Sequence, residues 1–497
     1  MGIIQINRID QVAVAPEGLK RSQTITVGGV EINVVDDIPP CHKVAIKKIV
    51  KGDQVFKYGC PFGKASEDIE PGRWVHTHNV KTELEGILDY RYQPQFDHSL
   101  LEIKDQQTFQ GYLRNDGQVG IRNYIFVIPT VVCANGTVKA ITDKLNQLFP
   151  ETENFDGFIP FPHAFGCSQA GADLLNTQQI LSGLAHNPNA GGVLLVSLGC
   201  ETNAFSVFNP VLGDVNQEAV KFLVMQEVDD EIDAGIRLGC ELHKCVVGFQ
   251  RSPAPLTKLV VAVNCGGSDG VSGLTANPLV GALTDILVNR GGSVVMTEVP
   301  EMLGAEQILM NRAQNEHVYN GIVGMINDYK NYFTRHGETA NGNLTQGNQA
   351  GGLSTLEEKS LGCIQKAGRA IVTDVLATGE RLRRPGLALL SGPGNDFAGI
   401  TAQIAAGCNL VVFTTGRGTP TGFAAPTFRI SSNTALYNKK RTWIDFNAGV
   451  LVEGVDLQRL AEELYQKVLS TANGEYRTCA ELKKYFEIGI LKDGITL

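Results

Sequence analysis

Chemically active side chains follow one buried strand of the sequence, in a loop that is long for a compact domain. The apolar run Lys258–Asn264 predicts the strand, and Cys265–Ala276 after it is rich in Gly, Ser and Asp. Asn277 and Pro278 suit the start of a helix, and Ser293–Thr297 predicts the next strand. Ligands of strand–helix–strand units bind at the carboxyl ends of the strands. A loop of this length is usually functional, although a purely structural glycine-rich turn fits the same residues.

Carboxylates at the predicted strand ends could bind a hard metal ion. Asp269 lies in the long loop, Glu298 and Glu301 follow the second strand, and Asp396 follows a later one. Oxygen ligands of this kind suit Mg²⁺, Mn²⁺ or Fe²⁺. We therefore predict a metal site at this edge of the sheet.

Four cysteines offer an alternative, softer set of ligands. Cys167, Cys200, Cys265 and Cys363 each adjoin a glycine in a predicted strand-end loop. Converging thiolates could hold iron or an iron–sulfur cluster. Free cysteines are also common as small buried apolar residues, so both interpretations stay open.

Three histidines lie near the N-terminus, among short predicted strands. His76 and His78 are two residues apart, so on a strand they project from one face. With His42 they could make a facial metal site, or they could be surface histidines beside a turn.

Cationic side chains are few in these loops. Arg122, Lys366 and Arg417 lie within Gly, Asn and Gln motifs rather than in charged runs. One or two of them would suit a substrate carboxylate, with arginine as a bidentate fork; the alternative is a solvated surface position.

Several common motifs are absent or misplaced. SGPGND, from Ser391, lacks the spacing of a dinucleotide fingerprint, which disfavours NAD, and no GxxxxGK[ST] phosphate loop occurs. Gly266–Gly270 reads GxSxG, but a nucleophile elbow needs a helix at once, and the predicted helix begins only at Asn277. A serine hydrolase is therefore disfavoured.

Composition narrows the class of protein. The net charge is −9 without a basic block, which disfavours nucleic acid and anionic membranes as partners. No apolar run is long enough to span a membrane, and the N-terminus lacks a signal pattern. The 11 cysteines in such a chain fit a reducing cytoplasm.

The order of predicted elements indicates an α/β protein with several parts. Residues 1–80 predict a small all-β module, and residues 81–110 a polar linker. Residues 111–250 alternate strands and helices, and residues 251–497 predict a Rossmann-like, mostly parallel sheet.

Long motifs across nearly the whole chain resemble the altronate and galactarate dehydratase family. The matching segments are Gly111–Asn123, Gly166–Gln169, Gly199–Asn203, Cys265–Pro278, Thr297–Glu306, Glu358–Gly368, Ser391–Asp396 and Thr415–Pro420. CHKVAI from Cys41 and VHTHN from Val75 resemble the β-clip (SAF-type) module of the family. The chain length and the RGTPTGF motif from Arg417 are closer to the altronate branch.

The resemblance implies a hydro-lyase of hexuronate catabolism that converts D-altronate to 2-dehydro-3-deoxy-D-gluconate and water. It also implies Fe²⁺, or Mn²⁺ in its place, no nicotinamide or flavin, and a homodimer in which the middle domain is a candidate for the contact. For the site it suggests Arg417 or Arg122 on the substrate carboxylate and Lys366 or His163 as acid or base. The expected metal ligands are Asp269, Glu298 or Asp396, joined by His42, His76 and His78 if the module folds over the site. The expected substrate-binding residues are Ser268, Thr275, Asn277, Asn395 and Thr419.

Three alternatives remain at the level of sequence. Galactarate could be the substrate; the chain could bind a sugar acid without turnover; or an iron–sulfur cluster could perform the dehydration, which would colour the protein brown.

Overall fold

The computed structural model of this chain describes residues 2–84, 86–97 and 107–497, with the backbone alone at residues 340 and 341. Residues 85 and 98–106 of the predicted linker lie outside the described residues. The part of the linker that is described packs against the C-terminal part, since Tyr90 donates to Glu306 and Tyr92 to the carbonyl of Ala313.

The N-terminal module is all-β, as predicted. Short strands alternate with tight turns; Gly28 and Gly29 both have positive φ, as the two-residue hairpin between the second and third strands requires. The strands form three small antiparallel sheets, β1-β4-β7, β2-β3 and β5-β6-β8. They are β1 (Val12–Ala15), β2 (Thr24–Val27), β3 (Val30–Asn33), β4 (His42–Ala45), β5 (Gln54–Lys57), β6 (Cys60–Ala65), β7 (Trp74–Val75) and β8 (Val80–Lys81).

The prediction that His76 and His78 share a strand is wrong. They lie in the turn between β7 and β8, because the Asn79 side chain accepts from the His76 N–H and the Asn79 and Val80 amides donate back to the His76 carbonyl. These local bonds replace the ladder that a strand would need.

The middle part is a four-stranded parallel sheet of order β12-β11-β13-β14. All six residues of β11 are buried, as expected for a parallel strand with helices on both faces. A separate antiparallel sheet, β10-β9-β15, borders this part. The strands are β9 (Thr108–Leu113), β10 (Val119–Gly120), β11 (Tyr124–Pro129), β12 (Phe158–Pro160), β13 (Ala190–Ser197), β14 (Val220–Val224) and β15 (Arg251–Pro255); the helices are α1 (Asn135–Leu148), α2 (Gly171–Ala185), α3 (Phe205–Leu212) and α4 (Glu231–Val246).

The C-terminal part contains a seven-stranded sheet of order β18-β19-β17-β16-β20-β21-β22, parallel throughout. The chain leaves β16 on one side toward β17 and returns on the other side as β20. The crevice beyond the carboxyl ends of β16 and β20 is therefore the topological switch point, where open α/β sheets bind ligands. The strands are β16 (Val260–Cys265), β17 (Ser293–Met296), β18 (Val372–Leu376), β19 (Leu387–Leu390), β20 (Leu410–Thr415), β21 (Thr427–Ser431) and β22 (Phe446–Asn447).

Helices cover both faces of this sheet. The first of them begins at Ala276, with Thr275 at the N-cap position, so the prediction of Asn277 as the cap is wrong by two residues. The helices are α5 (Ala276–Asn289), α6 (Glu306–Met310), α7 (Glu316–Arg335), α8 (Gln346–Ala350), α9 (Leu356–Cys363), α10 (Asp396–Ala405), α11 (Thr434–Lys439), α12 (Leu457–Ala472) and α13 (Cys479–Leu482). Across the three described segments of the chain, none of the helices combines the length and the apolar character that a bilayer crossing needs.

The N-terminal module packs on the C-terminal part through buried charges. Glu358, in the first turn of α9, accepts from Lys57 of β5 at 2.8 Å and from Lys43 of β4 at 2.9 Å. All three side chains are almost completely shielded from solvent. Buried charges of this kind are tolerated only when paired, so this contact holds the module in one position against α9.

Candidate active site

Two thiols and two carboxylates converge at the carboxyl edge of the seven-stranded sheet. Cys265 ends β16, Glu298 and Glu301 follow β17, and Cys363 ends α9. One ligand atom from each of the four lies within 4.8 Å of the others, and all four residues are buried. In the described ranges, this is the one group of three or more His, Cys, Asp or Glu side chains with such a geometry.

Hydrogen bonds connect the four side chains directly. The Cys265 thiol lies within hydrogen-bonding distance of two acceptors, Glu301 Oε2 at 3.1 Å and the Cys363 sulfur at 3.9 Å. The Cys265 backbone N–H donates to Glu298 Oε2 at 3.1 Å. The carboxylates are therefore positioned by β16 and not only by their own loop.

Two lysines place positive charge against the cluster. Lys366 Nζ lies 3.0 Å from Glu298 Oε2 and 2.9 Å from the Cys363 sulfur, and its side chain is fully buried. Lys359 Nζ lies 2.8 Å from Glu301 Oε1. Residues 359, 363 and 366 follow the i, i+4, i+7 spacing of one helical face, which is why α9 and the turn after it present all three side chains to the cluster.

Burial and neighbouring charge shift the pKa values of the cluster in opposite directions. The hydrogen bond to Cys363, together with burial, raises the pKa of Cys265 well above its ordinary value. Burial would raise the pKa of Cys363 as well, but the hydrogen bond from Cys265 and the Lys366 charge bring it below its ordinary value. Burial also raises the pKa of Glu298. Burial alone would lower the pKa of Lys366, but the neighbouring thiols and carboxylates raise it well above its ordinary value, so Lys366 stays protonated.

Glu298 adopts a backbone conformation that side chains other than glycine seldom adopt. Its φ is 71°, in the left-handed region, at the start of a short 3₁₀ turn that contains Pro300. Such strain concentrates at functional sites. Its Oε1 is buried without a hydrogen-bond partner among the described residues, as are Asn264 Oδ1 and Ser360 Oγ. Buried polar atoms normally have partners, so Glu298 Oε1 is available as a ligand atom for a metal ion.

The donor set fits a divalent transition metal. Two sulfurs and two carboxylate oxygens lie close enough for one ion to reach all four, and Glu298 Oε1 accepts no hydrogen bond from the described residues. Mixed thiolate and carboxylate ligands favour Fe²⁺ or Zn²⁺ over Mg²⁺, which prefers oxygen alone. The protein thus contains a candidate metal site.

An open rim adjoins the cluster at the switch point. Gly266 and Gly267 follow β16, and the Gly267 carbonyl accepts from the Arg417 N–H of the loop after β20 at 3.0 Å. The Arg417 side chain is exposed, and Thr419 Oγ1 would meet a Cβ at Gly266 at 3.0 Å. A glycine at each of these positions therefore leaves room beside the Arg417 guanidinium, which has no hydrogen-bond or ion-pair partner among the described residues.

Asp396 lies at the first turn of α10, where its charge interacts with those of Glu301, Lys359 and Lys366. Burial and the neighbouring Glu301 raise the pKa of Asp396 to about 7. The adjacent Asn395 caps α10 by accepting from the Ala398 N–H at 3.1 Å.

Three family models match successive parts of the chain. Residues 1–83 match an altronate/galactarate dehydratase SAF domain, residues 111–246 the second domain of D-galactarate dehydratase/altronate hydrolase, and residues 256–496 the C-terminal part of D-galactarate/altronate dehydratase. An altronate dehydratase of Bacillus subtilis (strain 168) is 46% identical over 99% of both chains. The chain belongs to the galactarate/altronate dehydratase family. This confirms the resemblance seen in the sequence motifs.

Two further relatives place the chain within the dehydratase family. An altronate dehydratase of Escherichia coli (strain K12) is 44% identical over the whole of both chains. The galactarate dehydratase (L-threo-forming) of the same organism is 31% identical, over 96% of this chain and 94% of its own. This family member is thus more similar to the two altronate dehydratases than to that galactarate dehydratase.

Of the residues that the sequence suggested as metal ligands, Glu298 lies in the cluster and Asp269 does not. Asp269 Oδ1 accepts from Ser272 at 2.7 Å, and both of its carboxylate oxygens accept from Ser432 at 3.0 Å. Asn433 donates to Oδ2 at 3.1 Å. These bonds tie the long loop to the residues that follow β21.

Two of the four suggested thiolates, Cys265 and Cys363, belong to the cluster. Cys167 and Cys200 are exposed in loops of the middle sheet. The four sulfurs therefore do not converge in one group, as an iron–sulfur cluster held by all four would require.

Two of the three N-terminal histidines, His42 and His76, lie at the contact between the module and residues 350–354. His42 Nδ1 accepts from Trp74 Nε1 at 3.1 Å, and His76 Nδ1 lies 3.2 Å from Ser354 Oγ. Burial lowers the pKa of both, that of His76 to about 3. His78 is exposed and stacks obliquely on Trp74. The three do not join the four-residue group.

His163 and Arg122 have all their polar atoms engaged elsewhere. His163 Nε2 donates to the Pro129 carbonyl at 2.8 Å, and its Nδ1 accepts from the Phe165 N–H at 3.1 Å. Arg122 forms a buried bidentate pair with Glu481 at 2.6 and 3.1 Å. Both therefore have the contacts of structural residues, and we do not include them in the proposed site.

The suggested substrate-binding residues divide into two groups. Ser268 lies beside the cluster, with its Oγ 3.8 Å from the Cys265 sulfur, and Thr419 lies at the rim. Thr275 donates to the Ser432 carbonyl at 2.7 Å, and Asn277 connects Gly362 with Thr414. The last two hold loops together from within the protein.

Lys359 and Glu358 were missed as functional candidates at the level of sequence. Both lie within the family motif Glu358–Gly368. The helical spacing of Lys359, Cys363 and Lys366 was a usable signal for one of them, whereas the partners of Glu358 are some 300 residues away in sequence.

Proposed function

We propose that this chain dehydrates D-altronate to 2-dehydro-3-deoxy-D-gluconate. The observation that carries the proposal is the buried Cys265, Glu298, Glu301 and Cys363 cluster with its two lysines, in a chain 44–46% identical to two altronate dehydratases. The reaction removes a proton from C2, beside the carboxylate, and the hydroxyl from C3. The enol that results tautomerises to the ketone, and water is the second product.

The four cluster residues would hold one divalent metal, which we propose is Fe²⁺, with Mn²⁺ as a substitute. A bound cation would supply positive charge for the oxygens that become anionic when C2 loses its proton. Hydrogen and hydroxyl leave the same molecule, so the reaction requires neither nicotinamide nor flavin.

The protein's own cations would bind and polarise the substrate. We assign the substrate carboxylate to Arg417, whose exposed guanidinium stands at the switch-point rim beside Gly267. Lys366 stays protonated between Glu298 and Cys363, so its role is to stabilise negative charge, not to accept the C2 proton.

Asp396 is our candidate for proton transfer. Its carboxyl group has no hydrogen-bond or ion-pair partner within residues 2–84, 86–97 and 107–497, and it lies near the charges of the cluster at the sheet edge. An acid with a pKa near neutrality can both take and return a proton.

We also retain the wider expectations from the sequence as proposals. They are the division into a module at 1–80, a linker at 81–110 and domains at 111–250 and 251–497, a homodimer, and a cytoplasmic location. The free state of all eleven cysteines is compatible with a reducing compartment.

The decisive experiment is anaerobic turnover of D-altronate beside galactarate, with Fe²⁺ supplied and then removed by a chelator. Formation of the 2-keto-3-deoxy acid from altronate, lost with the chelator and restored by Fe²⁺, is expected. Tight binding of altronate without product would refute the enzymatic proposal and support a binding protein instead.

A matched pair of cysteine variants tests the site itself. Cys363→Ser should lower bound Fe²⁺ and turnover together, because a hydroxyl is a far weaker ligand than a thiolate. Cys408→Ser changes another buried free cysteine, outside the cluster, and should leave the metal content of folded protein unchanged. Equal metal content in both variants would remove Cys363 from the site.

A further inference from the structure

A cavity lies at the edge of the seven-stranded sheet opposite the metal cluster, where β16 and β17 begin. Its volume is about 480 Å³, and it opens between the middle and C-terminal parts. Val260 and Ser293 contribute the first residues of β16 and β17, and Ala406 and Gly407 precede β20. Gln118 and Pro188 contribute the wall from the middle part. Small-molecule sites of this size are common at domain interfaces.

Four cationic side chains line this cavity. Lys258, Arg381, Arg383 and Arg384 all line it, and we call the cavity they define the basic cavity. Arg383 is neutralised, because it forms ion pairs with Asp374 and Glu380. For the other three, the described residues provide no ion pair.

Arg381 connects the two walls and keeps unused donor capacity. Its Nη2 donates to Gln118 Oε1 of the middle part at 2.5 Å. Its Nη1 is buried and has no hydrogen-bond partner in the described segments. Asp116 is the acidic group whose charge acts on Arg381, and its carboxylate is already bonded to Gln118. An anion in the cavity would supply the missing acceptor once the guanidinium turns toward it.

We propose that the basic cavity binds a small, multiply charged oxyanion that links the middle and C-terminal parts. The four cations of the lining, set against the carboxylates of Asp116, Asp374 and Glu380, leave an excess of positive charge in a concave site, which attracts such an anion. The volume accommodates a molecule the size of a phosphorylated sugar or a dicarboxylic acid. The proposal is independent of the dehydratase assignment, since none of its residues belongs to the metal cluster.

The test is calorimetric titration of the full-length protein with inorganic phosphate and, separately, with malonate, at constant ionic strength set by KCl. Saturable binding of at least one anion, with a melting temperature that rises with its concentration, is expected. Binding of phosphate alone would identify a phosphate-recognising site, and binding of malonate alone a dicarboxylate site. Absence of saturable binding by both would overturn the proposal.

Two double variants test whether the anion binds in the basic cavity. Arg381→Gln/Arg384→Gln should weaken binding by at least about tenfold, because it removes two charged donors. Lys258→Gln/Arg384→Gln changes two exposed residues only, so it should weaken binding while the protein folds normally even if Arg381 is needed for the domain contact.

Two controls distinguish this cavity from other anion sites. Arg459→Gln removes an exposed arginine that pairs with Glu463 on α12, and binding should be unchanged. Arg417→Gln alters the active-site rim and should also leave binding intact. Loss of binding in the Arg417 variant, with full binding in both cavity variants, would place the anion at the active site and refute the inference.

Discussion

Replacement of Glu358 by glutamine tests the contact through which the N-terminal module holds the active-site helix. Glu358 is fully buried between Lys43 and Lys57, and it lies five residues before Cys363 and eight before Lys366. The glutamine has the same shape but no charge. It would leave two buried amines without a counter-ion, and a broken buried pair is strongly destabilising.

The pKa values give the size of the effect. Burial opposes ionisation of Glu358, but the two lysines lower its pKa from 4.5 to about 2. A difference of roughly 2.5 pKa units corresponds to about 3 kcal/mol of stability at neutral pH. This agrees with the roughly 3–5 kcal/mol that removal of one partner from a buried pair costs in other proteins. We therefore expect Glu358→Gln to lower the free energy of unfolding by about 3 kcal/mol.

The pKa values also determine the direction in which the stability changes with pH. The Glu358 contribution is complete above its unfolded pKa of 4.5 and is lost as pH falls toward 2. Burial lowers the pKa of Lys43 from 10.5 to about 8, so stability should rise as pH increases between those values, where the unfolded chain binds more protons. In the variant both amines lose protons more easily. The difference in free energy of unfolding between the variant and the wild type should therefore become smaller from pH 7 to pH 9.

The assay is urea denaturation of both proteins across that pH range, together with hydrogen exchange of residues 42–65 and 356–366. Glu357→Gln is the matched control: it changes the adjacent buried carboxylate, which accepts from Thr82 and the Glu83 N–H and pairs with none of the described lysines. The Glu357→Gln variant should lose clearly less stability than Glu358→Gln. A Glu358→Gln variant within 1 kcal/mol of wild type, or one no worse than the control, would refute the charge-pairing argument.

Three further perturbations test other parts of the site. Lys366→Met removes the buried counter-charge of Glu298 and should therefore lower the stability. In the protein that folds, it should lower kcat by at least about a hundredfold, measured anaerobically with Fe²⁺, because a buried cation beside the developing charge is lost; a wild-type kcat would contradict its role. Arg417→Lys should raise KM for altronate several-fold with a smaller effect on kcat, because the bidentate fork is lost; unchanged KM would remove Arg417 from carboxylate binding. Gly270→Ala would place a Cβ 2.1 Å from the Cys41 carbonyl oxygen, so protease cleavage of the module should accelerate; wild-type resistance would show that the contact adapts.

Much of the architecture was evident from patterns close in sequence. Apolar β-branched runs followed by glycine-rich loops indicated the parallel strands, and paired turn residues indicated the small β module, because these patterns depend on neighbours along the chain. His76 and His78 show where local reasoning was insufficient. Alternation suggested a strand, but the side chain of Asn79 offers the backbone a turn instead.

The site was predictable as a region and not as a set of ligands. Glu298, Cys265 and Cys363 were each candidates, but sequence could not choose between a carboxylate site and a thiolate site. The structure combines them, because α9 carries Cys363 to the end of β16 from 98 residues farther along the chain.

Motifs and periodicity are local properties, so they were sufficient to identify the family, the α/β class and the edge of the sheet at which polar loops gather. Which side chains meet at that edge, and which bond to other parts of the protein, depends on tertiary contacts. Asp269, His163 and Arg122 have the residue types of a catalytic site, yet their polar atoms are engaged by Ser432, Pro129 and Glu481. Glu298 Oε1, in contrast, is buried with no described partner. Hydrogen-bond satisfaction depends on residues distant in sequence, so it becomes visible only when the chain is folded.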